Sequence, residues 1–155
     1  MAIAVTAVGA LVVGVLAVRQ WNSPGYDIAA APGGQSSACK QTAHRYPNRL
    51  AGQALTFTGR PGVAVWGDEA VVLRCGLKPP APSVDACVNV NGVDWVFREG
   101  QTAGGKKVIV TYGRNPAVEA VISGHVTATD GVLVGLSALV KPIKKYTKCI
   151  GPDDV

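Results

Sequence analysis

The stretch CVNVNGVDWVF, residues 87–97, decides the fold of this chain. Its two halves are runs of β-branched and aromatic residues, which favour extended strands. Between them stands Asn91-Gly92, a pair that accepts the positive φ angles of a type I′ turn. Because such a turn matches the twist of two antiparallel strands, the stretch predicts a β-hairpin and, with it, an antiparallel sheet.

Further strand-like runs lie on both sides of the hairpin. Each is short and rich in Val, and Gly, Asp, Asn or Pro separates most of them, as in GRNP at residues 113–116. The runs are residues 63–66, 70–75, 107–112 and 117–122. Together with the hairpin they predict an antiparallel sheet of about five or six strands.

Two segments show helical rather than strand spacing. Residues 39–50 carry apolar side chains at helical intervals, and Pro47 interrupts that short helix. Residues 132–140 carry an apolar stripe, and Pro142 ends the helix close to its last residue. An antiparallel sheet flanked by two helices places the domain in the α+β class.

The first 21 residues predict a transmembrane helix. Residues 2–18 contain no charged side chain, and Arg19 and Trp21 follow as a basic and aromatic border typical of a membrane interface. At about 1.5 Å per residue the apolar run spans roughly 26 Å, slightly less than a hydrocarbon core of about 30 Å. No Lys or Arg precedes the run and no suitable cleavage site follows it, so we expect an anchor; cleavage would make the domain secreted.

The cysteines indicate the side of the membrane. All 15 Lys and Arg residues lie at or after Arg19, so the positive-inside rule alone places the domain in the cytoplasm. Four cysteines without a C-x-x-C pair instead suit two disulfides in an oxidising compartment. We give the cysteines more weight and expect basic residues ahead of Met1. The prediction is a single-pass protein of the cell membrane with an extracytoplasmic domain.

The chain after the anchor divides into three parts. Residues 22–38 are mostly small and rich in Gly and Pro, which predicts a flexible linker. Residues 39–150 hold the predicted strands and helices and form the extracytoplasmic domain. Residues 151–155 predict a disordered tail.

Four cysteines allow three pairings, and we expect Cys75–Cys87 with Cys39–Cys149. The stretch GLKPPAPSVDA between Cys75 and Cys87 has three prolines and suits a surface loop that turns back. Cys39 and Cys149 lie near the ends of the predicted domain, and domain termini are often close together. Because strand neighbours point to opposite faces, Cys75 should face the core and Arg74 the other side.

No catalytic or metal-binding motif stands out. The chain lacks the nucleophile-elbow, dinucleotide, P-loop and zinc-protease motifs, and neither His44 nor His125 has companions at metal-ligand spacing. We therefore assign no catalytic residue, no metal ligand and no cofactor, and we expect no nucleic acid partner. One alternative remains, an envelope-acting hydrolase in which the carboxylates of Asp68 and Asp94 converge near Trp66.

A candidate ligand surface can still be named. Aromatic rings in the strand region could stack on a sugar or a peptide, although they suit the core of a sheet equally well. Charged residues at strand positions could flank these rings and contact the ligand. They could instead form ion pairs, in which Asp94 or Glu119 pairs with Arg74 or Arg114. The candidate residues are Trp66, Arg74, Asp94, Trp95, Tyr112 and Arg114, with Tyr146 as a further stacking residue.

The end of the predicted domain is basic. Lys141, Lys144, Lys145 and Lys148 follow one helical face, and the chain has a net charge of +5. One interpretation is contact with an anionic lipid or polymer. The other is that Pro142 breaks this face and that the cations stabilise the end of the preceding helix.

Three motifs carry a resemblance to a known family. In chain order they are WGDEAVVLRCGLKPP (residues 66–80), VNGVDWVF (90–97) and TYGRNPAVEAVI (111–122). With these motifs the chain resembles the actinobacterial family of membrane-anchored or secreted proteins called domain of unknown function 3515. The resemblance covers residues 39–149, with two extra residues between Cys87 and the second motif. It implies an N-terminal membrane segment and an extracytoplasmic domain, and it implies no activity.

The sequence therefore supports two hypotheses about function. The first is a non-enzymatic binding or structural module of the cell envelope, attached to the membrane through residues 2–18, whose partner is an envelope protein or polymer. The second is the hydrolase described above, and a buried pair of converging carboxylates would favour it.

Overall fold

The predicted Asn91–Gly92 hairpin lies at one edge of an antiparallel sheet. The computed structural model describes residues 26–101 and 104–150, which form two α-helices and eight strands. In chain order the elements are helix α1 (Ser37–Ala43), strands β1 (Arg49–Leu50), β2 (Gln53–Phe57), β3 (Val63–Trp66), β4 (Val71–Leu77), β5 (Cys87–Val90) and β6 (Val93–Phe97), a 3-10 helix (Glu99–Gln101), strands β7 (Lys107–Thr111) and β8 (Ala117–Ile122), and helix α2 (Thr129–Val140).

The sheet consists of two four-stranded meanders. The strand order is β1-β2-β3-β4-β8-β7-β6-β5, and every neighbouring pair is antiparallel. The last strands of the two meanders, β4 and β8, pair at the centre, with Leu73 opposite Ala120 and Arg74 opposite Glu119. The β4–β8 pair therefore joins the two meanders, within each of which neighbouring strands are linked by short connections.

The helices cover one face of the sheet, which we call the helix face. Alternation along β4 places Val71, Leu73 and Cys75 on this face, and all three are fully buried. Burial of each such apolar side chain contributes about 1.5–3 kcal/mol, so this layer is the main core of the domain. From the helices, the core receives Cys39, Val132, Leu133, Leu136, Leu139 and Val140.

The N-terminal segment, residues 26–36, lies against the opposite face of the sheet. Arg74 Nε donates to the carbonyl oxygen of Ala29 at 3.0 Å. Gly76 has a φ of +110°, and a Cβ there would lie 2.2 Å from the backbone nitrogen of Gly34, so only glycine allows the segment to pass so close to β4. Part of the predicted flexible linker, residues 22–38, is therefore packed against the domain, and α1 begins within it.

The C-terminal segment, residues 144–150, covers the other half of the opposite face. The chain rounds the end of the sheet where the backbone N–H of Tyr146 donates to the carbonyl oxygen of Gly113 at 2.7 Å. It then runs to Cys149, which forms a disulfide with Cys87 on β5. Each face of the sheet thus carries its own cover.

The predicted disulfide pairing is wrong. The bridges are Cys39–Cys75, with Cα atoms 5.6 Å apart, and Cys87–Cys149, with Cα atoms 6.5 Å apart. Cys75 and Cys87 cannot meet because β8, β7 and β6 lie between their strands and the two side chains point to opposite faces. One bridge fastens α1 to the helix face and the other fastens the C-terminal segment to the opposite face.

Other expectations change at the edges of the domain. The sheet has two strands more than the six strand-like runs, because β1 is only two residues long, and β2 alternates half-buried and exposed residues and contains Gln and Ala. The predicted helix 39–50 is shorter, since α1 ends at Ala43 and Leu50 belongs to β1. The second predicted helix is present and begins earlier, at Thr129. The α+β class and the two-disulfide expectation are confirmed.

The predicted anchor and tail lie outside the described residues, which begin at Tyr26 and end at Ile150. Over residues 26–101 and 104–150, neither helix is long and apolar enough to cross a membrane.

Peptide mapping without reduction should recover the Cys39–Cys75 and Cys87–Cys149 pairs from protein purified from its native host. The bridges close loops of 36 and 62 residues. Loop entropy then assigns each bridge about 4 kcal/mol, so reduced protein should unfold at a clearly lower denaturant concentration. Recovery of a Cys75–Cys87 or a Cys39–Cys149 peptide would contradict the strand order described here.

Candidate functional site

Two of the predicted ligand residues, Trp66 and Trp95, lie in the core of the helix face. Both rings are fully buried. The indole nitrogen of Trp66 donates to the carbonyl oxygen of Pro47, and that of Trp95 donates to Ser137 Oγ, each at 2.9 Å. Because their single polar atoms are satisfied inside the protein, these residues stabilise the fold and cannot stack on a ligand at the surface.

Arg74 holds the N-terminal segment to the sheet. It lies on the face opposite Cys75, as the strand pattern predicts, and its Nη1 is 3.0 Å from Glu119 Oε1 on the neighbouring strand. Its Nε donates to the carbonyl oxygen of Ala29. The expected pairing of Arg74 with a carboxylate on an adjacent strand is therefore present, and it organises a chain segment.

Asp94 is buried beneath the C-terminal segment. Its carboxylate accepts hydrogen bonds from Asn89 Nδ2 at 2.6 Å and from the backbone N–H of Cys149 at 3.4 Å, and Lys145 Nζ lies 2.9 Å away. Burial acts to raise the pKa of Asp94, but the hydrogen bonds from Asn89 and Lys145, the charge of Lys145 and the Cys149 N–H together hold that pKa below its usual value. The carboxylate thus stays ionised and ties down the segment.

Arg114 ties together two stretches of backbone. Its Nη1 donates to the carbonyl oxygens of Lys141 and Ile143, just after α2, and its Nη2 donates to that of Gly92 at 3.1 Å. The side chain is buried, and burial lowers its pKa, against which the charge of Asp94 acts. Arg114 therefore positions the turn through which the chain leaves the helix face.

A groove lies beside these two buried charges, and we call it the tyrosine–proline groove. It has a volume of about 610 Å³ and separates the proline-rich link after β4 from the C-terminal segment. Its lining residues are Pro79, Pro80, Pro82, Tyr112, Gly113, Arg114, Asn115, Tyr146 and Thr147. A smaller hollow of about 140 Å³ continues from Tyr112 and Pro82 towards Cys149 and Ile150. Of the six predicted ligand residues, only Tyr112 and Arg114 line this groove.

The groove is held open by rigid backbone. Gly113 has a φ of +69°, and a Cβ there would lie 2.0 Å from the carbonyl oxygen of Thr147, so a side chain would push the C-terminal segment away. On the other wall, the prolines restrict the φ angles of the link. A ligand would meet a preformed surface, which reduces the entropy lost on binding.

The lining combines aromatic rings with a few polar groups. Tyr146 is 64% exposed, and Lys144 Nζ lies 5.0 Å from the centre of its ring. Asn115 and Thr147 add side chains that donate and accept hydrogen bonds. Asp and Glu are absent from the residues that line this groove, all of which are described. Such a surface can stack and hydrogen-bond a ligand.

The predicted lysine face is wrong as a helical feature. Helix α2 ends at Val140, so the lysines that follow it lie on irregular chain. Lys145 contacts Asp94 and Lys144 contacts Tyr146. Pro142, the alternative weighed above, accounts for this break because its ring cannot continue a helix.

The carboxylates of the hydrolase alternative do not converge. Asp68 is exposed in the turn between β3 and β4, whereas Asp94 is buried on β6. Three strands separate β3 from β6, a distance of roughly 19 Å at about 4.8 Å per strand. Trp66 faces the helices, on the side of the sheet away from Asp94. Across residues 26–101 and 104–150, moreover, no group of three His, Cys, Asp or Glu residues could hold a metal ion.

The prolines of the groove were absent from the predicted surface. The sequence did contain a signal for them, because three prolines within five residues restrict the backbone and form a rigid wall wherever they pack. Which side chains they would face could not be read, because the position of the link depends on the strand order.

Replacing Asp94 by Asn should lower the unfolding free energy by about 2 kcal/mol at pH 7, the size of a hydrogen bond to a buried charged group. The pKa of Asp94 is lower in the folded than in the unfolded chain, so its contribution is complete above the unfolded value of about 3.9 and disappears as the pH falls through the folded value. Urea unfolding should therefore show the difference shrinking between pH 7 and pH 3.

The matched control is Asp85→Asn, because Asp85 lies 3.8 Å from Arg98 in a partly exposed pair. Such a pair is worth at most about 1 kcal/mol. An Asp94→Asn effect equal to that of the control, or one that does not change with pH, would show that Asp94 does not hold the segment.

Comparison with known proteins identifies a family whose function is unknown. No curated protein and no solved structure matches the chain. Residues 1–147 match the family described as "Protein of unknown function (DUF3515)". This match includes both meanders, both helices and the groove. The chain therefore belongs to the DUF3515 family of proteins of unknown function.

Proposed function

We propose that this protein is a non-enzymatic binding module of the cell envelope. Residues 1–21 anchor it in the membrane, and its extracytoplasmic domain binds an envelope glycan in the tyrosine–proline groove. Family membership alone carries none of these statements, so each needs support from the chain itself.

The disulfides support the extracytoplasmic part of the proposal. All four cysteines are paired, and none is free among the described residues. Reducing compartments keep thiols in the free form, whereas exported proteins keep their disulfides. The apolar residues 2–18 support attachment to a membrane, because a run of this length without charge is typical of a spanning helix.

The lining of the groove is the observation that carries the binding part. Tyr112 and Tyr146 offer ring surface for the apolar face of a sugar, and Asn115 and Thr147 offer hydrogen bonds for its hydroxyl groups. Ligand sites usually combine an apolar lining with a few polar groups in this way. The groove is open to solvent and continues into the smaller hollow, a shape that suits a polymer better than a small enclosed ligand.

The charge around the groove selects among glycans. Lys144 lies at Tyr146, and Arg114 lines the groove, whose own lining contains no carboxylate to repel an anion. Asp85 lines the smaller hollow that continues from the groove, and there it is paired with Arg98. The chain as a whole has a net charge of +5. A glycan with acidic groups is thus favoured over a neutral one, and its binding should weaken as salt screens the charges.

Tyr146→Ala tests the proposal with purified full-length protein and solubilised envelope polysaccharide in affinity electrophoresis. Loss of one stacking ring should weaken binding about fivefold, since stacking of this kind is worth about 1 kcal/mol. Val134→Ala is the matched control. Val134 is 48% exposed and lies on α2, which covers the helix face of the sheet, away from the groove.

Digestion of the polysaccharide sample with protease or with a glycan-cleaving enzyme shows whether the bound polymer is a protein or a glycan. Binding that survives protease and is lost after glycan cleavage supports the proposal. Binding lost after protease, or equal binding by Tyr146→Ala and Val134→Ala, would overturn it.

A further inference from the structure

A second hollow lies away from the groove, between α1 and the loop that joins β2 to β3, residues 58–62. We call it the basic cleft. Its volume is about 580 Å³. Three basic side chains line it: Lys40 on α1, His44 directly after α1 and Arg60 on the loop. All of its lining residues are described, and none of them is Asp or Glu.

The basic side chains reach the cleft from two directions. His44 caps the C-terminal end of α1 with helical backbone angles. Because Lys40 lies four residues before it, both side chains lie on the same side of the helix, and both are exposed. Arg60 lies across from them on the loop, and its guanidinium is fixed because Nη1 donates to the carbonyl oxygen of Ile28. Neighbouring basic groups are unfavourable unless an anion lies between them.

The acidic residue that pairs with Arg60 does not neutralise the cleft. Asp27 Oδ1 lies 4.0 Å from Arg60 Nη1, and its side chain is fully exposed to solvent. An exposed pair at this distance contributes little, and it involves only one of the two Nη atoms of Arg60. The remaining guanidinium donors suit an anion that accepts two parallel hydrogen bonds.

The number and spread of the donors favour phosphate over carboxylate. A phosphate group offers more acceptor oxygens than a carboxylate and can be contacted from opposite sides at once, as α1 and the loop require. Arginine is the residue best matched to such an oxyanion, and lysine adds a mobile positive charge.

Beside its polar residues, which include Gln35 and Thr58, the cleft has an apolar stretch of wall. That stretch indicates that the phosphate is carried by an organic body. Leu55, Val63 and the ring of Tyr46 form this part of the wall. The Tyr46 ring packs edge-on against Trp66, with ring centres 5.7 Å apart, so the wall is rigid. The Tyr46 hydroxyl has no hydrogen-bond partner among the described residues, and burial raises its pKa to about 12, so it remains a donor.

We infer that the basic cleft binds the phosphate group of a phosphate ester, held between Lys40 and His44 on one side and Arg60 on the other. The inference does not depend on the proposed glycan site. Two sources share this chemistry, a soluble phosphate ester and a phospholipid headgroup. With the proposed anchor at residues 1–21, a headgroup is within reach of the cleft. Residues 22–25 span at most about 14 Å, and Tyr26 packs on β2 beside Phe57, so the domain must lie close to the membrane surface.

Lys40→Gln/His44→Gln tests the cleft. Neither side chain takes part in a hydrogen bond or ion pair described above, so the variant should fold and keep both disulfides. Titration calorimetry of the full chain in zwitterionic micelles, with glycerol 1-phosphate as the probe, should show affinity reduced about tenfold, the effect expected for one charge-assisted hydrogen bond. Lys106→Gln/His125→Gln, which replaces an exposed Lys and an exposed His elsewhere, should bind like the parent.

Two further probes complete the test. Sodium acetate should bind much more weakly than glycerol 1-phosphate, and Tyr146→Ala should leave glycerol 1-phosphate binding unchanged, which separates this site from the groove. Acetate binding as tight as that of the ester, or equal affinities in the parent and Lys40→Gln/His44→Gln, would overturn the inference.

Nanodiscs distinguish the two sources. Hydrogen exchange of residues 37–44 and 58–62 is compared in discs of phosphatidylcholine alone and in discs that also contain phosphatidylglycerol. Slower exchange in the anionic discs identifies a headgroup ligand, and slower exchange only on addition of glycerol 1-phosphate identifies a soluble one. No change in either case would overturn the inference.

Discussion

The antiparallel pairing of β4 with β8 is the contact on which the rest of the structure depends. It joins the two meanders, and its register assigns every side chain of the central strands to a face. Leu73 and Ala120 face the helices, while Arg74 and Glu119 face away as an ion pair. A slip of one residue would bury the Arg74 charge in the apolar layer, so the register is strongly specified.

A sheet fixed in this way has two faces to cover, and the two covers differ. The helices seal one face with apolar side chains, and Cys39–Cys75 bonds α1 to it. Irregular segments from both ends of the chain cover the other face, and they depend on polar anchors, Arg74 for one and Asp94 with Cys87–Cys149 for the other. The tyrosine–proline groove and the basic cleft both lie at the margins of these covers, where the backbone is rigid and the side chains are exposed.

Local features of the fold could be predicted from the sequence, and non-local ones could not. The Asn91–Gly92 turn, the six strand-like runs, helix α2 and the orientation of Cys75 and Arg74 follow from periodicity and turn chemistry within a few residues. The disulfide pairing failed because it depends on three strands lying between β4 and β5, which no local pattern encodes. For the same reason Trp66 and Trp95 were placed on a ligand surface, whereas only the assembled sheet distinguishes the buried rings from the exposed Tyr146.

The central claim is that the β4–β8 pairing is independent of the cover on the opposite face. Hydrogen exchange of Cys87→Ala/Cys149→Ala, compared with the parent protein, tests it most directly. Exchange should accelerate in residues 144–150 and in the link 78–86, while the amides of β4 and β8 stay as protected as in the parent, because their strand pairing and the helix face are untouched. Equal loss of protection in β4 and β8 would contradict the claim, since the sheet would then depend on its cover.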